Sequence, residues 1–131
     1  MFGCFIVCHT AFVEERPPVW IGHAVLTVSD IGRSARWWHD IGMREIEENA
    51  HVAVLELRGG THLVLVPGEP KGGDAPFDLM VEDLEATHRD WSARGIEVGP
   101  IQQGRIHNAF EATDPDGYRV TVNSSHVSGI V

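Results

Sequence analysis

Residues 22–31 read GHAVLTVSDI, and fifty-three positions later residues 75–84 read APFDLMVEDL. Set one above the other, they share Leu26/Leu79, Val28/Val81 and Asp30/Asp83, with Ile31/Leu84 as a conservative match. The same offset pairs Ser34/Thr87, Arg36/Arg89, Trp38/Trp91 and Gly42/Gly95. His23 breaks the pattern, because its counterpart is Pro76. The chain is a duplication that keeps its frame and changes one chemically active position.

Each copy begins with strand-forming residues, WIGHAVLTV at 20–28 and FDLMV at 77–81. Asp30 and Asp83 then stand where a helix N-cap carboxylate accepts the first free backbone N–H groups. The helices are predicted through SARWWHD and HRDWSAR and to end at Gly42 and Gly95, residues suited to a left-handed cap. Three strands follow in each half. In the first they are 43–48, HVAVLELR and THLVLV, with Gly59-Gly60 as the hairpin turn. In the second they are IEVGPIQQ, HNAFEAT and YRVTVNS, with the last two joined by Asp114-Pro115-Asp116-Gly117. At an offset of 57, Gly60 matches Gly117, Leu63 matches Val120 and Leu65 matches Val122. The fold class is therefore α+β, two tandem βαβββ modules in one compact domain. The expected limits are an N-terminal extension at 1–18, modules at 19–67 and 75–126, and a Gly/Pro-rich linker at 68–74.

The totals agree with such a domain. At 131 residues the chain buries roughly two-thirds of its unfolded surface. Ten basic against nineteen acidic side chains give a formal charge of −9. That balance argues against nucleic acid and anionic membrane surfaces as partners, and it favours a cationic ligand. Cys4 and Cys8 form no disulfide framework, and with His9 they lack a fourth partner at zinc-site spacing. The apolar start lacks the basic region of a signal peptide, and no run approaches the roughly 20 apolar residues of a membrane span. The expected compartment is the cytoplasm.

A paired βαβββ unit with H-x-x-L-x-V-x-D in its first strand and DPDGY near its end resembles the vicinal oxygen chelate superfamily of glyoxalases, bleomycin-resistance proteins and extradiol dioxygenases. The resemblance covers about residues 19–126. It implies modules curled around a cavity. In metal-dependent members it also implies a divalent ion held by His, Gln or Glu from each module's first and last strands. Carried across, those positions are His23, Val64, Pro76 and Thr121, so His23 is the only family ligand position retained. The resemblance therefore implies no cofactor here, with a divalent metal as the alternative. It also implies a homodimer.

Strand alternation says what would line the cavity. If His23 faces inward, so do Val25 and Thr27, while Ala24, Leu26 and Val28 pack on the helix. The same parity turns His62, Val64 and Val66 inward, with Asp78 and Met80 in the second module and Arg119, Thr121 and Asn123 in the last strand. Asp78 and Arg119 could pair with each other. If the DPDG turn is the whole loop, Asn108 and Phe110 also face in; a bulge would send His107 and Glu111 there instead. His126 could reach the cavity mouth. The candidate ligand-binding residues are thus His23, His62, Asp78, Arg119, Thr121, Asn123 and Phe110. Trp37, Trp38 and Trp91, at helical spacing, read as core or interface.

The expected function is small-molecule binding of the sequestration or resistance type, with the usual metal site degraded and no catalytic residue assigned. The alternative is a metal-dependent lyase, isomerase or dioxygenase with relocated ligands, His23, Asp78 and His62 being the relocated set.

Overall fold

The computed structural model describes residues 16–126. The expectations for Cys4, Cys8 and His9 lie outside those residues. The first module runs β1 (His23–Val28), α1 (Ile31–Asp40), β2 (Arg44–Glu48), β3 (Ala53–Glu56) and β4 (His62–Pro67). The second runs β5 (Gly73–Asp74), β6 (Leu79–Val81), α2 (Leu84–Ala93), β7 (Glu97–Val98), β8 (Gln102–Gln103), β9 (Asn108–Thr113) and β10 (Tyr118–Ser124). The first sheet has the order β1-β4-β3-β2, with β1 parallel to β4 and the other pairs antiparallel. The second is built on β10, which pairs in parallel with β5 and β6 and antiparallel with β9.

The duplication is visible bond by bond. The Asp30 carboxylate accepts from the Arg33 N–H at 3.0 Å, and the Asp83 carboxylate accepts from Ala86 at 2.9 Å. At the other end, Met43 N–H donates to Trp38 C=O and Ile96 N–H to Trp91 C=O, a 6→1 bond closing each helix past its glycine. The two final hairpins also match. Leu57 N–H donates to Thr61 C=O at 2.8 Å, and Asp114 N–H to Tyr118 C=O at 2.9 Å. Each encloses a three-residue loop whose last residue, Gly60 or Gly117, has a positive φ of 91° or 84°. This is the three-residue hairpin in which a left-handed glycine adds a bulge to the register.

That bulge corrects one expectation. The DPDG turn is not the whole loop, so Phe110 pairs with Val122 and Glu111 with Thr121. Phe110 is turned under α2 and is 2% exposed. It meets Trp91 and His88 edge-on, with ring centroids 5.6 and 4.9 Å away. Two expected strands differ. The first strand of module two, expected over 77–81, is shortened to β6, while β5 falls in the expected linker, and Gly99-Pro100 interrupts IEVGPIQQ between β7 and β8. Proline cannot donate to a ladder, which accounts for that break.

Helix-facing positions of both sheets form one core. Leu26, Val28, Leu55, Leu63 and Leu65 belong to it in module one, and Val120, Val122, Phe110 and Trp91 in module two. Trp38 is fully buried and joins the halves, its ring 5.7 Å from that of Phe77. Polar contacts also cross the junction. Tyr118 Oη donates to Thr27 C=O at 2.8 Å and accepts from Lys71 N–H at 3.2 Å. The Asp116 carboxylate accepts from the Ser29 N–H at 3.1 Å, the Ser29 hydroxyl at 2.5 Å and Arg33 at 3.1 Å.

Candidate functional site

The sheet faces turned away from the helices carry the polar candidates. In module one, β-register places one charged or imidazole side chain per strand in a transverse row: His23 on β1, His62 on β4, Glu56 on β3 and Arg44 on β2. The His23 and His62 rings lie 5.8 Å apart. His62 Nε2 donates to Glu56 Oε2 at 3.2 Å, and Arg44 Nε donates to Glu56 Oε1 at 2.9 Å, with its Nη2 on the same oxygen. The Arg44 guanidinium holds the Glu56 carboxyl below the usual carboxylate range; desolvation opposes it, and the His62 contact lowers it further. An ionised Glu56 fixes the His62 tautomer with its proton on Nε2 and leaves Nδ1 as an acceptor. Such a pair can hold and pass a proton.

The next row along the same face is apolar, Val25–Val64–Val54. Val25 is 53% exposed, and Met80 on the matching face of module two is 43% exposed.

Module two forms a cup of about 310 Å³, lined by Gly99, Pro100, Gln102, Ala109, Phe110, Glu111 and Thr121. Its polar contributors are Glu111 and Thr121, directly opposed across β9 and β10, and Gln102 on β8. Phe110 contributes to the cup's wall while remaining a core residue beneath α2.

The remaining candidates are dispersed. Arg119 pairs with Asp74 at 3.0 Å, which leaves the exposed Asp78 outside that ion pair. Asn123 is buried and donates to Leu79 C=O at 3.3 Å, tying β10 to β6. The structure thus gathers His23 with His62, and Thr121 with Glu111. It does not bring Asp78 to the histidines, and among the described residues no three His, Cys, Asp or Glu groups are placed to hold a metal ion. The relocated set of His23, His62 and Asp78 is therefore not assembled. Glu56 and Arg44, which complete the first row, escaped the sequence reading; their signal was the pairing register of β3 with β4.

Residues 20–122 match the family model described as the Glyoxalase/Bleomycin resistance protein/Dioxygenase superfamily. The chain belongs to that superfamily. No curated protein matches it. Solved structures share its fold. Lactoylglutathione lyase from Agrobacterium tumefaciens has a TM-score of 0.72 at 17% identity, over 88% of this chain and 100% of that one. A superfamily member from Sphaerobacter thermophilus has 0.71 at 18%, over 82% and 98%. The bleomycin-binding protein from Streptomyces verticillus, solved with copper(II)-bleomycin, has 0.67 at 20%, over 85% and 100%.

This superfamily member does not carry the donor set that the resemblance implies for a metal centre. His23 supplies an imidazole. Val64 lies in register between Val25 and Val54, and Pro76 falls in the break between β5 and β6. Thr121 offers a hydroxyl beside the Glu111 carboxylate. Three of the four positions lack a His, Gln or Glu, so the residues present do not fit that centre.

Proposed function

We propose that this glyoxalase-superfamily protein binds a small organic ligand, in the manner of the bleomycin-resistance branch, on the cavity faces of its modules. One observation carries the reading: the frame and the open cup of module two are kept while the donors at Val64, Pro76 and Thr121 are gone. A concave cup with a few convergent polar groups suits a small molecule. Glu111 and the net charge of −9 favour a cation. The structural likeness to a bleomycin-binding protein supports the same class of ligand.

Chelator-treated protein screened by thermal shift against organic cations and glycopeptide antibiotics is expected to give a stabilising hit, because a ligand that prefers the native state raises its melting temperature. Thr121→Trp, which fills the cup, should weaken that hit about tenfold or more. His23→Ala should weaken it without abolishing it. A screen with no hit, or a hit indifferent to Thr121→Trp, would reject the assignment of the cup.

The exposed Val25 and Met80, and the edge of β1 that no strand pairs among the described residues, support a homodimer in which a second copy covers these faces. A sedimentation mass of one chain would reject that pairing. A second reading rests on the Glu56–His62 bond, which suits a proton-transfer enzyme. Turnover of the bound ligand that disappears in His62→Ala would replace the binder with that enzyme.

A further inference from the structure

We infer that His107 and His126 form a second site, apart from the cup, that takes a divalent transition metal ion through two imidazoles. Their ring centroids are 4.5 Å apart at an interplanar angle of 42°. His107 lies one residue before β9 and His126 two residues past the end of β10, so the antiparallel pairing of these strands brings them together.

The hydrogen bonding of His107 sets its tautomer. Its Nδ1 lies 2.8 Å from the Ser124 carbonyl oxygen. A carbonyl can only accept, so Nδ1 carries the proton and Nε2 of the neutral ring keeps its lone pair. Metal-binding histidines are held in this way, the second nitrogen donating to a carbonyl or carboxylate that fixes tautomer and orientation. Ser124 also anchors the backbone beside the ring, its hydroxyl accepting from Asn108 N–H at 3.0 Å. His107 is therefore held in one orientation beside the β9–β10 ladder.

The other imidazole pair differs in spacing: the His23 and His62 rings are farther apart, at 5.8 Å. With two protein ligands the ion keeps open positions for water, so the site favours metals that bind imidazole tightly. The order expected is copper(II) above nickel(II) and zinc(II). The chain's charge of −9 draws any cation toward the surface.

The test uses the full chain, stripped with chelator and carrying Cys4→Ser and Cys8→Ser to keep thiols from reducing copper. Calorimetric titration with copper(II) and nickel(II) is expected to show binding that either His107→Ala or His126→Ala weakens about tenfold or more. The copper(II) resonance spectrum should show two nitrogen ligands, reduced by one in each variant. His23→Ala and His62→Ala should leave both readouts unchanged. Loss of the signal in those variants instead, or retention in both His107→Ala and His126→Ala, would overturn the assignment. Because the readout is the ion alone, it stands or falls independently of organic-ligand binding in the cup.

Discussion

Trp38→Ala is expected to lower the unfolding free energy by about 3–5 kcal/mol, the usual range for deleting a fully buried large aromatic. For a domain with a total of about 5–15 kcal/mol, that is a large share of its stability. The size follows from position. Trp38 is fully buried on the inner face of α1, meets Trp37 edge-on at 4.8 Å, and reaches Phe77 of the other module at 5.7 Å. Its removal opens a cavity where the two halves share one core. Trp38→Phe is the informative companion. It keeps a ring in the site and removes the indole N–H, which has no hydrogen-bond partner among the described residues. An unpartnered buried donor is itself costly, so its removal offsets part of the packing lost with the smaller ring, and the phenylalanine variant should lose only about 1–2 kcal/mol. Urea unfolding reads both. A loss below about 1 kcal/mol for Trp38→Ala would mean that the modules do not depend on a common core.

Asp114→Ala should cost about 2–4 kcal/mol, because it strips the acceptor from two backbone donors and leaves them unpaired. Asp114 Oδ1 accepts from Asp116 N–H and Tyr118 N–H, each at 2.9 Å, while Oδ2 is buried with no hydrogen-bond partner among the described residues. Burial pushes the carboxyl above its ordinary range and outweighs the two backbone bonds that pull it down; the neighbouring Asp116 charge pushes the same way.

The sign of the pH effect follows from that direction. A carboxyl with a raised folded value holds its proton more tightly when folded. The penalty for its charge is thus fully present above the folded value and is relieved as pH falls toward the ordinary aspartate value. Asp114→Asn keeps the acceptor and removes the titration. It should change stability by less than about 1 kcal/mol at neutral pH, and the wild type should gain on it as the solution is acidified. Unfolding titrations of the two proteins between neutral and mildly acidic pH read this difference. A gap that widens in the opposite direction would show that the folded protein prefers a charged Asp114.

Most of the frame was legible because it is repeated. The 53-residue offset paired the capping aspartates and the terminal glycines before any geometry was known, and both helices fall between them. Strand parity also held where it was anchored by burial. Ala24, Leu26 and Val28 pack toward the helix, which turns His23, Val25 and Thr27 to the opposite, cavity face. Phe110 was misplaced because one hairpin residue decides the parity of a whole strand. Its correction was already in the sequence, since the 57-residue offset sets Gly60 on Gly117, and two glycines in the same place imply the same bulged loop. Glu56 and Arg44 were illegible for a different reason. Nothing local to either residue marks it as a partner of His62; only the alignment of β2, β3 and β4 makes the row.

The central claim is that the protein binds an organic ligand on a frame that no longer needs the superfamily's metal ion. The most direct measurement is the calorimetric affinity of a ligand found by the thermal-shift screen, on chelator-treated protein and again after loading with manganese, nickel or zinc. The account predicts affinities that agree within about twofold, well under the tenfold that separates distinct binding modes. Binding that requires the ion, and that vanishes with the ion in His23→Ala, would contradict it.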